Sequence, residues 1–301
     1  MKNTKEDSKN FSSIKILIIL ISIIVGVGIL KFTFLDKKDK LKIQQRIEEK
    51  FKKEPDKKTT DINKGMNTTI YGEKYADSGQ ELEKILRSGK NKIDGRKIAY
   101  LTFDDGPSTT VTPKILKTLE EKNVKGTFFI VGNALMSSEK SKELLKEEIL
   151  NGHAIANHSY THDYKHLYPN RIVDVNAFMD EINKTNQAMK EVLGENFDCK
   201  VIRFPGGHMS WKGTKEVDEV LKNGRYSFVD WNALNGDAEG KKKNPEELLE
   251  YVKKNVNKRV RPDRLVVLMH DTYGKENTAI FLPNLIDYLK GLGYEFRTIK
   301  N

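Results

Sequence analysis

The stretch AYLTFDDGP, residues 99–107, begins as an apolar run and ends in two adjacent carboxylates followed by Gly-Pro. An apolar run of this length, closed abruptly by turn residues, is typical of a strand that is buried on both faces. Similar short runs recur along the chain. The strand-like runs are 98–103, 127–131, 154–156, 201–204, 226–229, 265–269 and 295–299.

Longer amphipathic patterns separate these runs. The helical patterns are 113–122, 143–150, 174–193, 212–222, 245–256 and 277–292. Strands that alternate with helices favour a parallel sheet. The sequence therefore predicts an α/β fold, a distorted (β/α)7 barrel related to the TIM fold, with an open sheet as the alternative.

Polar and ionisable residues follow five of the strand-like runs. They are Asp104-Asp105-Gly106-Pro107, NHSYTH at 157–162, RFPGG at 203–207, Asp230-Trp231 and His270-Asp271. Because the carboxyl ends of parallel strands share the face of an α/β barrel that carries catalytic residues, we expect these groups to meet at one mouth.

His158 and His162 are spaced i, i+4, so both rings can lie on one side of a helical turn and bind one ion. A carboxylate from another strand end would complete a facial set of three ligands. Adjacent residues on a strand point apart, so of Asp104 and Asp105 one could bind the ion and the other act as a base. The alternatives are two histidines in a polar loop and a solvated Asp-Gly-Pro turn.

Five short motifs together resemble a known family. TFDDGP at 102–107, HSYTH at 158–162, RFPGG at 203–207, DW at 230–231 and LMH at 268–270 stand in the order of the motifs of the polysaccharide deacetylases, carbohydrate esterase family four. The resemblance runs from about residue 95 to the C-terminus. The wider sequence is similar to the Gram-positive, membrane-anchored branch that acts on peptidoglycan.

The resemblance implies a divalent metal, usually zinc, bound by Asp105, His158 and His162. It implies that Asp104 is the general base for the attacking water, and that Arg203 holds Asp104 ionised and oriented.

The same resemblance implies roles on the other side of the reaction. The backbone N–H of Gly206 would stabilise the oxyanion, and His270 would be the general acid for the leaving amine. Asp230 would pair with the imidazole of His270 and raise its pKa. Trp231 and Leu268 would line the pocket for the acetyl methyl.

Two positions depart from the family pattern. Gly206 stands where the family often has an aromatic residue, so one aromatic wall of the groove is expected to be missing. Ser227 stands where the fourth motif often begins with Asp. His208, next to the arginine motif, and Asp237, in the loop 232–240, are weaker candidates for the site.

The N-terminal part of the chain has a different character. Residues 16–35 are apolar except for Lys31 and two hydroxyl residues, and about 20 such residues suit a membrane span. Lysines precede this run, which predicts a cytoplasmic N-terminus and an extracellular catalytic domain. A cleaved signal peptide is the alternative. The predicted domains are 1–35, cytoplasmic tip and anchor; 36–65, charged linker; 66–95, ambiguous pre-domain segment; and 96–301, catalytic domain.

The net charge of +10 does not indicate a nucleic-acid partner. Residues 1–65 hold 16 Lys and Arg against 9 Asp and Glu, so the remainder of the chain is close to neutral. A basic segment beside a membrane favours anionic lipid or wall polymer over nucleic acid. The expected partners are therefore the membrane and a glycan substrate.

These features predict a metal-dependent N-deacetylase of cell-wall glycan, acting on N-acetylglucosamine in peptidoglycan. Three alternatives are a deacetylase of chitin-like oligomers or another wall polysaccharide, a catalytically silent glycan-binding module, and a structural wall-anchoring protein. The last would need a closed metal site with a fourth protein ligand, and no suitably spaced His or Cys stands out in the sequence.

Overall fold

The computed structural model describes residues 60–89, 94–258 and 263–301, and in it strands and helices alternate. The strands are β1 (Ala76–Ser78), β2 (Ile98–Gly106), β3 (Thr127–Ile130), β4 (Ala154–Asn157), β5 (Val201–Ile202), β6 (Ser227–Phe228), β7 (Ala233–Leu234), β8 (Arg264–His270), β9 (Glu295–Phe296) and β10 (Thr298–Lys300). The helices are α1 (Ile70–Glu73), α2 (Gly79–Ser88), α3 (Thr112–Glu121), α4 (Gly132–Met136), α5 (Glu139–Leu150), α6 (Tyr164–Leu167), α7 (Val175–Leu193), α8 (Thr214–Asn223), α9 (Pro245–Lys258) and α10 (Glu276–Gly291).

The main sheet is parallel throughout and confirms the predicted α/β class. Its strand order within the described residues is β6-β5-β4-β3-β2-β8-β7, and β9 also pairs with β2. The sheet curls into an open half-barrel whose edge strands are β6 and β7. The central strand β2 is buried on both faces, which explains its nearly continuous apolar sequence.

The alternation of side chains along β2 decides which face of the sheet carries Asp104. Ala99, Leu101 and Phe103 belong to the core formed with the surrounding helices. Ile98 and Tyr100 belong to a separate cluster with residues of neighbouring strands and with Leu82 of α2. Asp104 continues this second series, because side chains two apart on a strand share a face.

The five predicted polar segments meet at one edge of the sheet, as the parallel topology requires. Asp104 at the end of β2 pairs in register with His270 at the end of β8. His158 follows β4 directly, and Arg203 follows β5. The prediction that strand ends bring these groups together is confirmed.

The segment before β2 packs onto the sheet. Strand β1 pairs with β10 at the other end of the chain. Glu83 of α2 accepts a hydrogen bond from the backbone N–H of Phe228, at 3.2 Å, and so satisfies a donor on the edge strand β6. The buried Asn67 donates to the backbone carbonyls of Ile155 and Ile299. Residues 66–89, part of the segment 66–95 that the sequence left ambiguous, thus pack against the sheet and hydrogen-bond to it.

The run 295–299, predicted as one strand, is divided between two sheets. The N–H of Arg297 donates to Ala99, whereas the N–H of Thr298 donates to Tyr75, so the chain changes partners between these residues.

The predicted anchor at 16–35 and nearly all of the predicted linker at 36–65 lie outside the described residues. No helix within residues 60–89, 94–258 and 263–301 combines the length and hydropathy that a membrane span requires.

Candidate active site

The two adjacent carboxylates lie at an irregularity of strand β2. The register with β3 shifts between Asp104 and Gly106, and Asp105 has a φ of 71°, in the left-handed region. Such a bulge re-aims a side chain. Asp104 and Asp105 therefore both line the same cavity, whereas a regular strand would direct them to opposite faces of the sheet.

His158 and His162 lie on a tight loop, and the predicted helical turn is wrong. Ser159 and His162 have φ values of 68° and 57°, whereas residues of a right-handed α-helical turn have negative φ values. Side chains satisfy the loop's backbone donors: Asn157 accepts from the N–H of Ser159, and Ser159 accepts from that of His162. The ring centroids of the two histidines lie 4.9 Å apart despite the irregular backbone.

Asp105, His158 and His162 have the geometry of a metal site. Asp105 Oδ1 lies 3.5 Å from His158 Nε2 and 3.4 Å from His162 Nε2. Two ligand atoms on a tetrahedral zinc ion, each about 2.0–2.1 Å from it, are about 3.4 Å apart. Asp105 Oδ1 is buried and accepts no hydrogen bond from the described residues. The three ligand atoms all lie within 4.8 Å of one another, and together they fit a divalent cation.

His158 has the protonation that a metal ligand needs. Burial and the neighbouring His162 lower the pKa of His158 to about 3, so the ring is neutral. Its Nδ1 lies 2.9 Å from the backbone oxygen of Arg203, which can accept only if Nδ1 carries the proton. That contact leaves the lone pair of Nε2 facing Asp105.

Asp104 and Arg203 form a buried ion pair beside the triad of Asp105, His158 and His162. Arg203 Nη1 donates to Asp104 Oδ1 at 2.7 Å, and the arginine side chain is completely buried. Burial raises the pKa of Asp104, and the charge and hydrogen bond of Arg203 oppose that rise. Arg203 also donates to Thr102 and to the carbonyl of Val229, so its fork is fixed in place.

The partner of His270 is Asp237, and the predicted pairing with Asp230 is wrong. His270 Nδ1 lies 2.7 Å from Asp237 Oδ1, and the backbone N–H of His270 donates to Asp237 Oδ2. Burial disfavours the imidazolium, but the hydrogen bond and charge of Asp237, with Asp104 and Asp105, outweigh burial and raise the pKa of His270 to about 9. The loop 232–240, which the sequence marked only as a weaker candidate, therefore supplies this carboxylate.

Asp230 instead accepts a hydrogen bond from the loop that follows the arginine motif RFPGG. Its Oδ1 accepts from the backbone N–H of His208 at 3.2 Å. His208, also a weaker candidate, turns its Nε2 to Asp218 at 2.8 Å and stacks on Phe228. Neither Asp230 nor His208 lines the cavity. Asp230 thus holds the backbone that follows Gly206 and does not contact the imidazole of His270.

The cavity that contains the triad has a volume of about 240 Å³. Gly206, Trp231 and Leu268 line it, as the sequence predicted for substrate contacts. Sequence reasoning missed Tyr164 as a lining residue, and it marked the loop 232–240, of which residues 234–239 line the cavity, only as a weaker candidate for the groove. The signal for Tyr164 was its position two residues after a candidate ligand, but sequence alone does not give the direction of its ring.

The cavity holds the parts of a hydrolytic site. It combines a three-ligand cation site, a carboxylate beside a guanidinium, and an imidazole kept cationic by a second carboxylate. A base, an acid and a cation site in one cavity are the groups that metal-assisted hydrolysis of amide or ester bonds uses, and they place the site in the class of hydrolases.

Comparison with known proteins identifies the family. The polysaccharide deacetylase family model matches residues 91–227. The peptidoglycan-N-acetylmuramic acid deacetylase PdaA of Bacillus subtilis is 30% identical over 248 residues, which cover 79% of this chain and 84% of that protein. A peptidoglycan-N-acetylglucosamine deacetylase of Bacillus cereus is 28% identical over 221 residues, covering 73% of this chain and 76% of the relative.

A solved structure agrees with both relatives. The CE4 esterase of Streptococcus mutans has a TM-score of 0.74 and 35% identity, and the match covers 80% of this chain and 99% of that one. The chain belongs to the polysaccharide deacetylase family.

Proposed function

We propose that this protein is a metal-dependent hydrolase that removes acetyl groups from N-acetylated sugars of cell-wall glycan. The observation that carries the proposal is the meeting of Asp104, the triad and His270 in one cavity. The relatives named above, which are deacetylases of peptidoglycan, support the choice of substrate class.

Asp105, His158 and His162 would hold the cation, and zinc suits two imidazoles and one carboxylate. When bound, the ion supplies a Lewis acid that polarises the acetamide carbonyl and activates water. Asp104 accepts the proton of the water that attacks the carbonyl carbon, while Arg203 keeps this carboxylate oriented.

Two further groups of the cavity complete the hydrolysis. The backbone N–H of Gly206 donates to the carbonyl oxygen as negative charge develops there. His270, cationic through Asp237, gives a proton to the nitrogen as the C–N bond breaks. The products are acetate and a free amine on the sugar.

The lining of the cavity favours N-acetylglucosamine over muramic acid. Four carboxylates line it, those of Asp104, Asp105, Asp237 and Glu239, and none of the described lining residues is Lys or Arg. The imidazolium of His270 and the bound cation already have partners among these carboxylates, so a free lactyl carboxylate of muramic acid would find no arginine or lysine to pair with. N-Acetylglucosamine carries no charge and needs no such partner.

The proposed cellular setting is the outer face of the cell membrane. The apolar run 16–35 would be a single-pass anchor, the preceding lysines would keep the N-terminus in the cytoplasm, and the catalytic domain would face the wall. In this proposal the curled sheet is the distorted (β/α)7 barrel of the family, preceded by the charged linker.

Two alternatives make different predictions. A deacetylase of chitin-like oligomers would prefer N-acetylglucosamine oligomers without muramic acid, and a silent glycan-binding module would bind glycan without releasing acetate. The complete set of base, triad and acid argues against the silent module, because binding alone does not need proton transfer.

The test uses the full-length chain loaded with zinc, peptidoglycan fragments and N-acetylglucosamine oligomers, with mass spectrometry of acetyl loss from each sugar. We expect loss from N-acetylglucosamine residues of peptidoglycan, reduced about 10²- to 10⁴-fold in Asp104→Asn. The matched control is Asp163→Asn, an exposed carboxylate outside the cavity. Glycan binding without acetyl loss from any substrate would support the silent module and contradict the proposal.

A further inference from the structure

Tyr164 lies at the mouth of the cavity, and neither the family resemblance nor the proposed reaction gives it a role. It is the first residue of α6, and it is 43% exposed although its ring lines the cavity. The ring centroid lies 5.2 Å from that of His162. An exposed ring so close to the reacting centre is placed to touch a bound molecule.

The hydroxyl of Tyr164 lies against Gly206. A Cβ atom at 206 would lie 3.2 Å from the hydroxyl oxygen of Tyr164 and 3.1 Å from Cζ2 of Trp211. Gly206 also has a φ of 77°, which larger residues rarely adopt. A side chain at 206 would crowd the tyrosine, so the glycine and the ring form a matched pair. The wall expected to be missing at 206 is therefore supplied by Tyr164.

Neighbouring rings hold Tyr164 before any substrate arrives. Trp211 contacts the ring of Tyr164 edge-on, with centroids 5.2 Å apart. Trp211 is in turn stacked on Tyr168, with centroids 3.9 Å apart. The indole N–H of Trp211 donates to the carbonyl of Pro205 in the arginine motif. A ring fixed in this way loses little conformational entropy on binding.

The hydroxyl of Tyr164 is available to a ligand. It forms no hydrogen bond within the described part of the chain, and it lies beside Gly206 at the edge of the cavity. A phenol offers an apolar ring together with an O–H that can donate and accept. A sugar presents the complementary chemistry, with C–H groups on its face and hydroxyl groups at its rim.

We propose that Tyr164 binds the sugar whose acetamide enters the cavity. Its ring packs against the apolar face of that sugar, and its hydroxyl donates a hydrogen bond to one of the sugar's hydroxyl oxygens. This inference rests on the proposed function. No bond forms or breaks at Tyr164, so its contribution is to binding and should be seen in KM more than in kcat.

The experiment uses the full-length, zinc-loaded protein with the tetramer of N-acetylglucosamine. The variants are Tyr164→Phe, Tyr164→Ala and the control Tyr288→Phe, which removes a hydroxyl from a tyrosine of α10 outside the cavity. Initial rates give kcat and KM. Calorimetric titration of the same changes in an Asp104→Asn background gives Kd without turnover.

Tyr164→Phe should raise KM and Kd about 2- to 10-fold, the range expected for one neutral hydrogen bond, with kcat within about twofold of wild type. Tyr164→Ala should raise both further, because the ring is lost as well. The control should match the wild type. Zinc content and thermal unfolding are measured for every variant, and the phenylalanine variant keeps the test open if the alanine variant does not fold.

Each other outcome overturns the inference. Unchanged KM and Kd in both Tyr164 variants of an active enzyme would remove Tyr164 from substrate binding and leave the proposed function intact. A fall in kcat with KM and Kd unchanged would assign Tyr164 to the chemical step. Wild-type protein that neither binds nor deacetylates any tested glycan would overturn the proposed function, and this inference with it.

Discussion

The base side of the site, Asp104 with Arg203, and its acid side, His270 with Asp237, each pair a titratable group with a partner of opposite charge. Burial raises the pKa of Asp104, and the cation of Arg203 opposes that rise. Burial alone would lower the pKa of His270, and the anion of Asp237 more than reverses that effect. Arg203 therefore offsets only part of the desolvation of Asp104, whose pKa stays raised, whereas Asp237 and its neighbours more than offset the desolvation of His270.

The two pairs differ in where the partner comes from. Arg203 directly follows strand β5, so the sheet fixes it. Asp237 lies on a loop, and side chains around it take the place of the sheet: Thr278 donates to its carboxylate at 2.7 Å, Asn235 accepts from its N–H, and Lys275 donates to its carbonyl. The comparison teaches that a loop residue can be held as firmly as a strand end when its polar atoms are all satisfied.

The largest expected effect comes from removing the element that both sides share, the triad. His162→Ala removes one of the three metal ligands, so metal binding should be lost. Deacetylation should fall by more than the roughly 10- to 100-fold that is typical when a residue that hydrogen-bonds to a metal ligand is replaced. Acetate release and bound metal are measured together. The matched control is His166→Ala, which removes an exposed imidazole on the following helix α6 and should change neither quantity. Full activity with normal metal content in His162→Ala would rule out the assigned triad.

Arg203→Met tests the base side and should have the next largest effect. It leaves the Asp104 carboxylate buried without its cation, so the pKa of Asp104 rises further and the base is ionised only at higher pH. Activity should be lost at neutral pH and partly regained as pH rises. Breaking a buried pair from one side typically costs about 3–5 kcal/mol of stability, measurable by urea unfolding. Arg171→Met, at an exposed arginine, is the control.

The sequence predicted most of the base side and less of the acid side, for a physical reason. Asp104, His158 and Arg203 follow buried apolar runs, and parallel strands must end at one edge, so short motifs were enough to bring them together. Asp237 lies 33 residues before His270 in a loop without periodicity, and no local pattern says which way its side chain points. The left-handed residues at Asp105 and His162 were missed because tertiary contacts override local preference there.

Asp237→Asn tests the acid side. The imidazolium of His270 is the form that donates the proton, so activity should persist below its pKa of about 9 and fall as pH rises through that value. Asparagine removes the charge that raises this pKa, so the alkaline limb of the pH profile should move to lower pH. Activity at pH 8 should fall by up to about 100-fold, the lower end of what a general acid contributes. An alkaline limb that stays in place would separate Asp237 from the protonation of His270.

Asp230→Asn should have the smallest effect. It tests whether Asp230, which the sequence predicted as the partner of His270, or Asp237 controls the protonation of that imidazole. Asp230 accepts from the backbone N–H of His208, and an asparagine carbonyl can accept the same hydrogen bond. Its own backbone carbonyl, which lies 3.5 Å from Arg203 Nη2, is unchanged by the substitution. We therefore expect a stability change of about 1 kcal/mol or less, measured by urea unfolding.

The pH profile of the same variant is the sharper readout. Because Asp230 does not contact the imidazole, the alkaline limb should stay where it is in the wild type, while the limb of Asp237→Asn moves. If the limb moves in Asp230→Asn and not in Asp237→Asn, the partner of His270 in solution is Asp230, and the loop 232–240 has no part in the acid side. A limb that moves in both would mean that the two carboxylates share control of the imidazole, with Asp230 acting through the loop that it holds.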